Sequence, residues 1–236
     1  WALPFLSVLA TTPKVSKQLG KPHKTVGDIA QQMVILVRRW LPDMSISLVG
    51  DTAYSILELG LCCRKHNVTL IAQLRWDTAL YAPSPPRKAG TIGRPRVKGE
   101  ALPKLKIVLE DPQTEWQSVN IGWYGSNDGS EQSIQVASGT GVWYRIGLSV
   151  LPVRFVLTRD PEGNREPKAY LCTDQSLSAV EVVSLFIKRW TIEVTFEESR
   201  AHMGVETQRQ WSDLAIERRT PCLQGLYSWV ALFGQA

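Results

Sequence analysis

Two apolar periods alternate through the first third of the chain, and that alternation restricts the fold more than any other feature. From Thr25 onward Val26, Ile29, Met33, Val34, Val37 and Trp40 recur at spacings of three and four, a helical pattern that Pro42 stops. Ser45 to Gly50 (SISLVG) then reads as a short strand ending at Asp51. Tyr54 to His66 returns to the helical period with Ile56, Leu57, Leu59, Leu61 and Cys63, and Val68 to Leu74 (VTLIAQL) is a second buried strand. Ahead of them Trp1 to Ala10 (WALPFLSVLA) is an apolar run closed by TTP, which predicts a buried strand and a turn. Strand, helix, strand, helix, strand predicts an α/β layer with parallel pairing.

The helical period fades between residues 77 and 175, apart from a turn predicted at Leu102 to Leu109. Alternating β-type stretches replace it at Ser118–Tyr124, Ser133–Ala137, Val142–Ile146 and Val153–Thr158, followed by the turn sequence DPEGN and a last stretch at Ala169–Thr173. From Ser178 to Gly204 one long helix is expected, with Gly204 as its C-cap, and a second helix over Arg219 to Phe233. The organisation predicted is thus an α/β part over 1–76, a β-rich insertion over 77–175 and a helical part over 176–236.

Charge sharpens this outline. The 236 residues carry a formal net charge of +5, and between Arg87 and Lys106 seven basic residues face a single acid, Glu100. The scaffold outside that Pro- and Gly-containing stretch is close to neutral. A basic loop can neutralise phosphates, with Arg94, Arg96 and Lys98 as the candidate contacts, or it can be a solvated surface. No apolar run approaches the roughly 20 residues of a membrane helix. Four cysteines (Cys62, Cys63, Cys172, Cys222) form no disulfide framework, and three scattered histidines do not join them at zinc spacing, so reduced cytosolic thiols are expected.

Asp51, directly after a strand of an α/β layer, stands where ligands and metals gather; an Asp there can equally cap the following turn. On an uninterrupted helix at about 100° per residue, Phe186, Arg189, Glu193 and Arg200 fall at roughly 0°, 300°, 340° and 320°. A core-facing stripe is normally apolar. The charged stripe is either a set of surface ion pairs or a site with Glu193 on a metal and the arginines on phosphates. Trp190, on another side of the helix, is expected in the core.

The segment FIKRWTIEVTFEESR resembles the signature of DDE-type bacterial insertion-sequence transposases, Tyr-x2-Arg-x3-Glu-x6-Lys. Phe186, Arg189, Glu193 and Arg200 match its spacing, with Phe in place of Tyr and Arg in place of Lys. GVETQRQWSDLAIERRTP is similar to the family's stretch C-terminal to that signature, and YAPSPPRKAGTIGRPRVKG to a basic segment of one subgroup.

The resemblance implies an RNase H-like catalytic fold interrupted by a β-rich insertion, with Asp51 as the second catalytic carboxylate and Glu193 as the last. Both would ligate Mg2+ or Mn2+, and Lys188, Arg189 and Arg200 would hold DNA phosphates. It further implies DNA partners (transposon ends and target), a homodimer in a synaptic complex, and a bacterial cytoplasmic, nucleoid-associated location. Trp123 and Trp143 could stack on an unpaired base or pack in the sheet. The family's first Asp precedes the helix and strand matched here, so the resemblance implies an N-terminally truncated enzyme, inactive alone. The rival expectations are another RNase H-like nuclease, a DNA-binding or dimerising remnant without catalysis, and a fragment with no function.

Overall fold

The computed structural model describes residues 2–87, 90, 92–122, 131–207 and 209–234. Trp1, Lys88, Trp123 and Tyr124 therefore lie outside the described residues. The chain divides into two compact units, Ala30–Ile187 and the pair of segments Trp1–Ile29 and Lys188–Ala236.

The larger unit is a seven-stranded mixed sheet with helices on both faces. Its strands are β1 (Ile46–Gly50), β2 (Val68–Leu74), β3 (Leu80–Tyr81), β4 (Gln117–Gly122), β5 (Glu131–Trp143), β6 (Leu151–Arg159) and β7 (Lys168–Cys172). The order is β1-β2-β7-β6-β5-β3, with β4 also paired to β5. β1 and β2 run parallel, joined by a helical crossover, while every other pair is antiparallel. Strands from the stretch read as an insertion thus continue the sheet begun by β1 and β2.

Side-chain parity explains the layering. Val68, Leu70, Ala72 and Leu74 of β2, with Leu151, Val153 and Leu157 of β6 and Ala169 and Leu171 of β7, pack on one face. There they meet Ala30 and Val34 of α2 (Val26–Trp40) and Leu57, Leu59 and Cys63 of α3 (Leu57–Lys65). The intervening residues Ile71, Val156, Tyr170 and Cys172 face the other way, against Val182, Val183, Phe186 and Ile187 of α5 (Ala179–Lys188). Burial on both faces is why VTLIAQL is apolar throughout instead of alternating.

The predicted break within the insertion does not occur. Ser133–Ala137 and the first two residues of Val142–Ile146 belong to one continuous strand, β5, which ends at Trp143 and pairs with β6 from Gln135 to Trp143, while residues 144–146 lie beyond it. Within the SGTG sequence between them the Phe155 ring of β6 covers Gly139, filling the space a side chain would need. A short helix, α4 (Leu105–Glu110), follows β3 with Leu105 buried.

The smaller unit holds an extended segment over residues 2–11, α1 (Pro13–Gln18), α6 (Thr191–Met203) and α7 (Asp213–Phe233). Trp1–Ala10 was expected to be a strand, yet residues 2–10 form none and none is described in this unit. Helix side chains take the segment's backbone acceptors instead: Thr195 donates to the Ala2 carbonyl at 2.8 Å and Ser228 to the Pro4 carbonyl at 2.6 Å. Ser7 donates to Gln224 beside them. α7 also starts earlier than predicted, at Asp213, because Ser212 caps it through the Ala215 N–H, and Pro221 sits inside the helix. Among the described residues no helix is long and apolar enough to cross a membrane.

Candidate functional site

The single helix expected from Ser178 to Gly204 is two helices separated at Arg189 and Trp190. Locally the backbone tightens: the Ile192 and Glu193 N–H groups donate to the carbonyls three residues back, at Arg189 and Trp190. The Thr191 hydroxyl donates to the Lys188 carbonyl at 2.8 Å, a side-chain bond that competes with the ladder. The angles of an uninterrupted helix therefore do not carry across Arg189 and Trp190. Phe186 is buried in α5 with its ring 4.6 Å from that of Tyr170, and belongs to the sheet core. Trp190, expected in the core, is 43% exposed.

What remains of the stripe is a pair and an outlier. Arg189, in the turn, places a guanidinium nitrogen 2.7 Å from a Glu193 carboxylate oxygen in the first turn of α6. Arg200 lies on the same helix but pairs with Glu206, beyond the Gly204 cap, at 3.4 Å. Gly204 adopts φ 67°, the left-handed conformation that ends α6 as the sequence predicted. Lys188 is exposed at the end of α5.

Asp51 belongs to the larger unit and Glu193 to the smaller. Asp51 directly follows β1, is exposed, and accepts the Ala53 N–H at 2.9 Å as the cap of a 3-10 turn, Thr52–Tyr54. The preceding Gly50 has a packing reason: a Cβ there would meet Tyr54 Cβ at 2.6 Å. The local geometry is thus the capping arrangement, which occupies one carboxylate oxygen. Among the described residues no three His, Cys, Asp or Glu side chains gather as metal ligands do. The cap uses one oxygen of Asp51 and the ion pair with Arg189 one oxygen of Glu193, which leaves each carboxylate a second acceptor oxygen.

The basic loop is a built element. After β3 the chain leaves the sheet and returns beside its own start: Ala82 N–H donates to Glu100, Gly99 N–H to Ala82 and Leu102 N–H to Leu80, at 2.8, 2.8 and 2.9 Å. Ser84 closes the neck further by donating to the Arg96 carbonyl at 2.7 Å. Arg94 and Arg96 project exposed beyond that neck. Lys98 does not project with them, because its ammonium lies 3.0 Å above the Tyr81 ring centroid and faces Tyr144 as well. Sequence reasoning placed the three cations together but had no signal for this cage. Trp143 packs against the core cluster of the first sheet face, the sheet-packing alternative for that residue.

Sequence reasoning also missed Arg38, whose guanidinium bonds five backbone carbonyls, those of Leu41, Pro42, Met44, His66 and Asn67. It ties the loop entering β1 to the turn entering β2. The RRW ending of α2 carried only the generic signal of basic residues at a helix C-terminus. No family model matches the chain, and no curated protein is similar to it.

Proposed function

We propose that this chain acts on DNA as an RNase H-like domain of a DDE-type insertion-sequence transposase. The observation that carries the reading is the Arg189–Glu193 pair within the four-residue signature, a carboxylate beside a cation of the kind that holds phosphate. Asp51 after a parallel-paired strand and the exposed Arg94 and Arg96 on a closed-neck loop support it. The carboxylate of Glu193 keeps Arg189 neutralised in the absence of a ligand, so Glu193→Gln strengthens DNA binding several-fold while Arg189→Ala weakens it.

A second reading, DNA binding without cleavage, draws on Asp51 serving as a cap and Glu193 as an ion-pair partner. Fluorescence anisotropy with a labelled duplex and nicking of supercoiled plasmid with Mg2+ or Mn2+ test both. Binding that falls with salt, strengthens with Glu193→Gln and weakens with Arg189→Ala supports the transposase reading, and nicking abolished by Glu193→Gln overturns only the expectation that the chain is inactive alone. Binding without nicking that is indifferent to both substitutions supports the second. Absence of duplex binding at low salt overturns both.

A further inference from the structure

One face of α7 is covered toward its C-terminus and open toward its N-terminus. At the covered end Ser228 donates to the Pro4 carbonyl at 2.6 Å and Ser7 donates to Gln224, one helical turn back, so the extended segment runs antiparallel to the helix. Continued in that direction, Val8 and Leu9 come level with Glu217, Thr220 and Pro221. Segment and helix part there, and a cleft of about 340 Å³ opens between them. That volume lies at the lower end of the range for small-molecule sites. Its walls are apolar where Val8, Leu9, Ile216 and Pro221 face it, and the first three remain about half exposed. Of the lining residues Glu217 alone is charged, and it forms no ion pair with a described residue. Arg218 and Arg219, turned about 100° and 200° further round the helix, do not line the cleft. Pro221 has no N–H to return to the Glu217 carbonyl four residues back, so that residue offers a backbone acceptor besides its carboxylate.

We infer that this cleft is a binding site for a small amphipathic amine, its ammonium on Glu217 and its aromatic or branched alkyl body between Val8, Leu9 and Ile216. An ammonium carries three donors and no acceptor, which matches a wall that offers a carboxylate, a backbone carbonyl and the Thr220 hydroxyl oxygen. The apolar walls exclude a bare inorganic cation as the best occupant, because a single carboxylate supplies too few oxygens to replace the water shell of a divalent ion. They give an organic body the surface to bury instead. The Ser7–Gln224 bond closes one end of the cleft, and the segment occupies the continuation of that helix face. A compact ligand fits such a dead end, whereas an extended peptide needs a groove open at both ends. The inference is independent of the DNA reading, since Glu217 repels phosphate.

Tryptamine is the probe, titrated between about 0.1 and 10 mM into the full chain labelled with 15N and followed by amide shifts. Saturable shifts confined to residues 7–9 and 210–220 are expected, with a Kd below about 3 mM. Ethylamine, which lacks the apolar body, and indole-3-propionate, which reverses the charge, are each expected to bind at least about tenfold more weakly. Glu217→Gln, at an exposed position, is expected to weaken tryptamine about fivefold with unchanged circular dichroism. Asp213→Asn removes an equal charge from the same helix outside the cleft and is expected to leave the Kd within about twofold. Absence of saturable shifts overturns the inference, as does indole-3-propionate binding as well as tryptamine. A Glu217→Gln effect no larger than that of Asp213→Asn overturns it too, by reducing the site to general surface charge. An end-blocked hexapeptide with lysine beside tryptophan that binds more tightly than tryptamine overturns the choice of a free amine.

Discussion

Arg38 offers the sharpest test of how the fold positions β1 and, at its end, Asp51. Its Nε donates to the His66 carbonyl at 2.9 Å; one terminal nitrogen reaches Leu41, Pro42 and Met44 at 3.0, 3.1 and 2.8 Å, and the other Asn67 at 2.5 Å. Arg38→Met keeps the aliphatic stem and removes all five bonds. Most of these carbonyls lie at the surface and regain water, so each loss counts near the low end of the usual range and the total is about 3 kcal/mol. For a chain of this size that corresponds to a fall in melting temperature of about 6–12 °C. Arg38→Lys retains the charge but presents three N–H groups from one point, so it is expected to recover less than half. Thermal melts by far-UV circular dichroism read the stability, and hydrogen exchange at Ile46–Gly50 reads the local effect. A fall below about 2 °C for Arg38→Met, or a lysine variant equal to wild type, would refute the five-carbonyl account.

Burial pushes the Cys63 thiol up to about 12 and the Cys172 thiol up to about 11, while Cys222 is exposed, so alkylation at pH 8 followed by mass mapping is expected to label Cys222 first and the buried pair only after denaturation. Replacing Arg94 and Arg96 together by Ala is expected to lower the slope of log affinity against log salt by about 1.8 if each contacts one duplex phosphate; an unchanged slope would remove the loop from the interface. Hydrogen bonds from Thr25 and Ser178 hold the Asp28 and Glu181 carboxyls below their ordinary range at the starts of α2 and α5. A depressed carboxylate contributes stability above its unfolded value and loses it as pH falls through the folded one. Amide protection factors in the first turns of α2 and α5 should therefore fall below about pH 4, and Asp28→Asn should flatten that dependence for α2 alone.

The α/β layer was legible because its signals are local and agree with one another. Val68–Leu74 is apolar on both faces, α2 has a single apolar side, and the helix between β1 and β2 leaves parallel pairing as the economical connection. Legibility failed where partners distant in sequence decide the outcome. Nothing in WALPFLSVLA announces that Thr195 and Ser228 will claim its carbonyls, and nothing in SGTG announces that Phe155 will cover Gly139. The outer side of α7 shows the same limit from the other side: the spacing of Leu226, Trp229 and Phe233 is visible in the sequence, but their exposure is not.

The two carboxylates on which the proposed activity turns illustrate why a role in folding and a role in chemistry are separable by experiment. Asp51 caps Thr52–Tyr54 through one oxygen, and Glu193 answers Arg189 through one of its own. A side chain with two acceptor oxygens can do both jobs, so finding one bond does not subtract the other. Substitution distinguishes them because Asn retains a carbonyl oxygen able to accept the Ala53 N–H but lacks the negative charge a cation requires. Asp51→Asn should therefore leave the melting temperature nearly unchanged, whereas Asp51→Ala removes the cap and is expected to cost about 1 kcal/mol. If Asn abolishes metal-dependent nicking at unchanged stability, the charge is the function. If only Ala has an effect, and that effect is on stability, Asp51 is a cap and the DNA-binding reading stands alone.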